Sequence, residues 1–283
     1  MIDLHLHSAY SDGDLPVAAL IEAVAARGVR GVSLTDHNGV WGSAEAREAC
    51  AVRGLTFIEG IEISAAFAGL DIHILGYRRT FDAVRLHKAL AATRVGYEAR
   101  AREMIARGQA AGFPRLSFAD VQQRRSGQHE PLYLSYDVAR ELVDKYGLRA
   151  AEARKLTTTG GACHVPYGDW ALTPAQAVAA LHEAGALASL AHPGLIAVDG
   201  GDMEGAIREM AAAGLDGLEV YHPYHDEAMI ARLRQLAEHD DLLVTGGSDW
   251  HGPGRYPVSD RVFGRIGISG DDEEKFLTAI AAL

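Results

Sequence analysis

The stretch Ile2-Asp3-Leu4-His5-Leu6-His7-Ser8 decides how this chain is read. Ile2–His5 reads as a first strand, with His5-Leu6-His7 at its end. Side chains alternate faces along a strand, so His5 and His7 project the same way and form a ready clamp for a cation. Asp12 follows in Ser11-Asp12-Gly13, just ahead of an amphipathic helical pattern over Val17–Arg27 that opens behind Pro16.

Working outward, the same motif returns at later strand ends. Thr35-Asp36-His37 closes the strand Gly31–Thr35, and Glu59-Gly60-Ile61-Glu62 closes Thr56–Ile61. His73 lies within Asp71–Leu75, which could pair with the preceding strand as a hairpin. Ala191-His192-Pro193 closes Leu187–Ala191, and Ser248-Asp249-Trp250-His251 follows Leu242–Thr245, again with acid and imidazole two apart. Gly217–Tyr221 and Val262–Ile266 complete the expected strands. Helical patterns separate them at Ser43–Arg53, Pro174–Ala184, Met203–Ala213 and Asp226–His239, with Gly28, Gly54, Gly185 and Gly214 placed as C-caps. Strands alternating with helices imply βα units around a parallel sheet. In a parallel barrel the C-terminal strand ends converge on one mouth. Six of the thirteen histidines then meet three carboxylates: His5, His7, His37, His73, His192 and His251 with Asp12, Glu62 and Asp249.

Imidazole and carboxylate without thiolate suit Zn²⁺, Mn²⁺ or Fe²⁺. Nine ligands are too many for one ion and enough for two or three if a carboxylate bridges. Clustered divalent ions activate water and clamp both oxygens of a phosphoryl displacement. Their surplus positive charge favours an anionic substrate even though the chain carries a net charge of −11.

That net charge argues against coating long duplex DNA. No run of residues is apolar and long enough to span a membrane, and the start of the chain has no signal-peptide pattern. The two cysteines, Cys50 and Cys163, make no disulfide framework, and a cytoplasmic setting is expected. Between Arg78 and Lys155, sixteen Lys and Arg face nine Asp and Glu, so an acidic chain holds one basic segment. That segment reads as helical throughout and breaks the βα rhythm. The expected division is therefore a metal-binding barrel from 1–77 plus 167–283 and an inserted helical substrate-recognition subdomain from 78–166. Arg124 and Arg125 form a candidate phosphate-binding loop, joined by Lys155. Tyr133, Tyr136 and His129 are candidates for stacking on a base. His222 and His225 follow the strand ending at Tyr221, and either could protonate a leaving alkoxide or bind phosphate. Asp36 could orient an imidazole or cap the turn after it.

With these residues in place, the chain resembles the PHP family (polymerase and histidinol phosphatase) of the amidohydrolase-like superfamily. The resemblance runs from His5-Leu6-His7-Ser8 through Thr35-Asp36-His37, Gly60-Ile61-Glu62 and His192-Pro193 to Ser248-Asp249-Trp250-His251. It implies a distorted (β/α)7 TIM-like barrel. It implies one ion on His5, His7, Glu62 and Asp249, a second on Glu62, His73 and His192, and a third on Asp12, His37 and His251. Two or three divalent ions are expected, Mn²⁺ first, with Zn²⁺ or Fe²⁺ as alternatives. A bridging hydroxide would attack phosphorus, with Glu62, Asp249, His192 and His222 as the catalytic set and Arg124, Arg125, Tyr136, Lys155 and His225 as substrate contacts. The helical insert after His73-Ile74-Leu75-Gly76 is similar to a branch of 3′,5′-nucleotide bisphosphate phosphatases and 5′→3′ oligoribonucleases. Many members carry an Arg-x-His before the helix that here begins Asp137-Val138; this chain has Ser135-Tyr136-Asp137. The expected substrate is a small phosphorylated molecule, first the 3′-phosphate of a nucleoside 3′,5′-bisphosphate. Short RNA cut 5′→3′, histidinol phosphate, and a non-catalytic metal-binding module are the alternatives. A C–N hydrolase with a carbamylated lysine bridge is a further rival, but Glu62 fills that position.

Overall fold

The computed structural model describes every residue except His129 and Asp199. The stacking role considered for His129 lies outside the described residues. The chain divides into two compact units, Met1–Ala89 with Leu172–Leu283, and Leu90–Ala171.

The first unit is a seven-stranded barrel in sequence order. Its strands are β1 (Ile2–Asp3), β2 (Gly31–Leu34), β3 (Thr56–Phe67), β4 (Leu70–Arg78), β5 (Leu187–Leu190), β6 (Gly217–Tyr221) and β7 (Leu243–Gly246). Around them lie α1 (Val17–Ala25), α2 (Ser43–Arg53) and α3 (Ala83–Ala89). Beyond β1, residues 4–7 continue its line with backbone partners on both sides. Thr35 N donates to Leu6 O, while Leu4 N donates to Gly246 O and His7 N to Trp250 O, which closes β7 onto β1. Gly247 permits this closure: a Cβ there would lie 2.4 Å from both Cβ and N of His5. Alternation along β1 sends Ile2 and Leu4 into one apolar cluster and Leu6 into another, leaving Asp3, His5 and His7 on the opposite face.

One strand runs backwards. β3 and β4 form a hairpin paired from Glu59–Arg78 to Phe67–Leu70, and β4 is antiparallel to β5 as well. Ala68 and Gly69 turn the hairpin with φ of 50° and 82°, the handedness that suits tight hairpin turns. The hairpin expected between the third and fourth strands is thus present and interrupts the parallel order at β4. The consequence for the site is direct: in a reversed strand it is the beginning, not the end, that reaches the mouth. His73 stands near the start of β4, opposite Ser64.

The insert in the sequence contributes α4 (Ala91–Ala110), α5 (Phe118–Arg124), α6 (Ser135–Tyr146) and α7 (Ala150–Thr157) to the second unit. Its core gathers Met104, Ile105, Leu116, Val121, Val138, Leu142 and Cys163. The barrel resumes with α8 (Pro174–Glu183), where Thr173 and Gln176 form a capping box behind Pro174. Next come α9 (Gly194–Val198), α10 (Met203–Ala212), α11 (Glu227–His239), α12 (Pro257–Val262) and α13 (Asp271–Ala281). The four glycines expected as C-caps all take positive φ. The strand expected over Val262–Ile266 is absent. Val262 ends α12, Gly264 turns the chain, and Phe263 is buried in a stack 3.9 Å from the Trp250 ring. Phe263 packs into the apolar cluster of Leu6, Val17 and Trp250 instead of joining the sheet.

Candidate metal centre

Glu62 lies at the middle of the cluster and is 1% exposed. Period-two alternation separates it from Glu59, which is held by Arg47 at 2.6 Å and accepts from Phe81 N. Each Glu62 oxygen faces its own set of imidazoles. Oε1 is 2.8 Å from His73 Nδ1, 3.1 Å from His192 Nε2 and 3.4 Å from His5 Nε2. Oε2 is 3.2 Å from His7 Nε2 and 3.3 Å from His37 Nδ1. Asp249 Oδ1 lies 3.4 Å from His5 Nε2 and 3.2 Å from His7 Nε2. Asp12 reaches His7, His37 and His251 at 3.5, 3.8 and 3.3 Å.

Among the described residues, four sets of donor atoms are close enough to hold an ion: His7, Asp12, His37 and His251; His5, Glu62 and His192; His5, His7 and Asp249; and His37, Glu62 and His73. All nine residues named from the sequence occur among them. His5 Nε2, His7 Nε2 and His37 Nδ1 are buried without a hydrogen-bond partner. Buried polar atoms without partners are costly, and a cation is what such a nitrogen and oxygen set suits.

The outer ring nitrogens explain why the inner ones point inward. His5 Nδ1 lies 2.9 Å from Glu219 Oε1, so the ring donates there and turns the Nε2 lone pair to the cluster. His251 Nδ1 donates to Asp249 O at 2.9 Å, and His73 Nε2 faces Asp71 Oδ1 at 3.3 Å. Glu219 Oε2 also accepts from His192 N at 2.6 Å. Sequence reasoning missed Glu219 and Asp71 as supports; an acid inside the apolar strand Gly217–Tyr221 was the available signal for the first. Asp36 accepts from the hydroxyls of Ser8 and Ser11, each at 2.6 Å, and Ser11 Oγ stands 3.5 Å from His7 Nδ1. Its link to an imidazole thus runs through a serine. His192 and Asp249 hold φ of 30° and 48°, strained backbone of the kind found at functional sites.

Electrostatics ties the cluster together. Burial disfavours the His7 imidazolium, yet Asp249 and Glu62 beside it hold its pKa up at about 10. At His37 burial wins and the pKa falls to about 4. Burial likewise opposes ionisation of Asp12, Glu62 and Asp249, but the surrounding imidazoles hold all three well below the carboxylate range.

Two expectations at the barrel mouth change. His222, expected to protonate a leaving group or bind phosphate, is fully buried. Its Nδ1 accepts from Tyr224 N at 3.3 Å, so the proton sits on Nε2, which faces Asp249 Oδ2 at 3.4 Å. This ring orients Asp249. His225 donates from Nδ1 to Val220 O at 2.9 Å and accepts from Gly194 N at Nε2 at 3.1 Å. Both nitrogens are spent on backbone, and burial lowers the pKa to about 4, so the ring pins α9 to β6 and does not offer a phosphate contact.

The other expected substrate contacts belong to the second unit. Arg125 is buried and pairs with Asp137 through Nε at 2.9 Å and Nη2 at 2.8 Å. Arg124 pairs with Glu141 at 2.7 Å and Asp144 at 3.1 Å. These guanidiniums tie α5 to α6 rather than forming an open phosphate loop. Tyr136 Oη accepts from Arg140 and Tyr133 packs on Phe118, while Lys155 is exposed on α7.

The chain matches the PHP domain over residues 3–158. It is 34% identical to a 3′,5′-nucleoside bisphosphate phosphatase of Chromobacterium violaceum, over 89% of this chain and 88% of that one. It is 33% identical to a phosphoribosyl 1,2-cyclic phosphate 1,2-diphosphodiesterase of Eggerthella lenta, over 90% and 96%. A 5′-3′ exoribonuclease of Haemophilus influenzae is 29% identical over 89% of this chain and 90% of its own. Among solved structures, an amidohydrolase from Chromobacterium violaceum with bound sulfate and no metal superposes with a TM-score of 0.81 at 30% identity, covering 98% of this chain and 96% of that one. A candidate metal-dependent phosphoesterase from Bifidobacterium adolescentis gives a TM-score of 0.85 at 27% identity with the same coverage. Motif, barrel and full-length similarity agree: the chain belongs to the PHP domain family.

Proposed function

We propose that this chain removes the phosphate monoester of a small nucleotide, with the 3′-phosphate of a nucleoside 3′,5′-bisphosphate as the first substrate. The coarser activity is that of a metal-dependent phosphoesterase of the PHP family. The observation that carries the reading is the double engagement of Glu62, whose two oxygens face separate imidazole sets. A carboxylate so placed suits a bridge between neighbouring ions.

His5, His7 and Asp249, His73 and His192 with Glu62, and His37 and His251 with Asp12 would hold two or three ions, Mn²⁺ first. When bound, such ions supply Lewis acidity at the phosphoryl oxygens and an activated water. The protein's own contribution is orientation. Glu219 fixes the ring of His5 and the backbone of His192, and His222 fixes Asp249. The specificity proposed for the insert rests on its excess of Lys and Arg in the sequence. No described helix is long and apolar enough to cross a membrane. Cys50 and Cys163 are both buried and unpaired, which supports a reducing, cytoplasmic place of action.

The phosphatase relative at 34% identity supports the bisphosphate substrate. A second reading, cleavage of a cyclic phosphodiester, draws on the relative at 33%; cleavage of short RNA draws on the exoribonuclease at 29%. One screen separates them. Metal-loaded protein is offered nucleoside 3′,5′-bisphosphates, 5′-monophosphates, ribose cyclic phosphates and short oligoribonucleotides. The expected outcome is release of phosphate from the bisphosphates with the highest kcat/KM. Higher kcat/KM on a cyclic ester or on RNA would replace the first reading, and no turnover of any would end it.

A further inference from the structure

Four residues after His251 a guanidinium reaches the same carboxylate that His251 faces. Arg255 Nη2 lies 3.5 Å from Asp12 Oδ2, and His251 Nε2 approaches that oxygen to 3.3 Å. Arg255 Nη1 lies 3.6 Å from Asp14 Oδ1, and the side chain is 11% exposed. Both carboxylates thus face the guanidinium at ion-pair distance and hold it beside the cluster.

The loop is built to hold Arg255 there. In Gly252-Pro253-Gly254-Arg255-Tyr256, Gly252 and Gly254 take φ of +124° and +80°, which side-chain-bearing residues rarely adopt. Asp260 locks the loop from behind: Oδ1 accepts from the Trp250 indole and Oδ2 from Gly254 N, both at 2.8 Å. Asp14 is fixed opposite by its own N–H to His251 O at 2.6 Å. A planar fork of donors is thus presented beside the ligand set His7, Asp12, His37 and His251, on a loop of fixed shape.

We infer that Arg255 is a substrate-binding residue, taking two non-bridging oxygens of the phosphoryl group on the Asp12 side of the cluster. A guanidinium matches such oxygens in pairs, which an ammonium does not. The inference rests on reading the cluster as a phosphoesterase centre. The rival role is neutralisation of Asp12 and Asp14 alone.

The test compares wild type, Arg255→Ala and Arg255→Lys in three measurements: bound divalent ions by elemental analysis, the Kd of inorganic phosphate for the metal-loaded protein by calorimetry, and KM with kcat. Arg255→Ala should keep its ions, bind phosphate about tenfold more weakly and raise KM about tenfold, with kcat changed less. Arg255→Lys should recover only part of the phosphate affinity. Unchanged phosphate affinity in Arg255→Ala, or loss of metal in step with loss of affinity, would overturn the inference. If wild type turned over no phosphate ester, the phosphoesterase reading would fall, while the phosphate titration would still decide Arg255.

Discussion

His7 and His37 turn both ring nitrogens to cluster carboxylates, whereas the two nitrogens of His5, His73 and His251 have different work. One points to Glu62, Asp12 or Asp249, and for His5, His73 and His251 the other is held from outside by Glu219, Asp71 or a carbonyl. Glu219→Gln tests this. Its carboxylate accepts from both His5 Nδ1 and His192 N, and an amide can accept from only one of them. The variant should lose about 10–100-fold in metal affinity or activity, read by metal titration and kcat/KM; wild-type values would remove Glu219 from its supporting role. Protonation gives a second expectation. His7 has a folded pKa of about 10 against an ordinary 6.5. In the metal-free fold its charge contributes stability that is fully present below pH 6.5 and is lost as pH rises through about 10. A cation must displace that proton, so binding should release protons and tighten with rising pH over the same window. Calorimetry in buffers of different ionisation enthalpy counts the protons, and a count of zero would contradict the assignment. At this scale the sequence reveals inner ligands better than their supports. His5 and His7 share a face by local alternation, whereas Glu219 meets His5 across 214 residues. The same limit misplaced His225, because nothing local says that both its nitrogens meet backbone.

Elements show where periodicity suffices and where it does not. The helices flanking the barrel strands follow their amphipathic patterns and glycine stops. The reversal of β4 leaves no period of its own, because parallel and antiparallel strands alternate alike. His73 still reaches the mouth, since the reversed strand begins there. Val262–Ile266 looked like a strand because a buried Phe263 between half-buried Val262 and Ile266, on a helix end and a turn, mimics a short apolar run. In the second unit, charge suggested a phosphate loop, but pairing partners decide whether an arginine is available, and these come from α6. Arg125→Ala removes a buried partner of Asp137. It should cost about 3–5 kcal/mol in denaturant unfolding. A variant as stable as wild type with a raised KM would restore Arg125 to substrate binding.

For the molecule as a whole, a net charge of −11 coexists with a centre suited to anions, because divalent ions held by the buried imidazoles would outweigh the local carboxylates. The barrel brings together residues from His5 to His251, and closure of β7 onto β1 completes the ring. Glu62, with its two oxygens facing separate imidazole sets, would join at least two ions in one phosphoesterase centre. Elemental analysis of wild type and Glu62→Gln, each reconstituted with Mn²⁺ and freed of excess, tests it most directly. The account predicts two or three ions per wild-type chain and fewer in the variant, with activity falling alongside. Wild type carrying one ion or none at full activity, or a variant with an unchanged ion count, would contradict it.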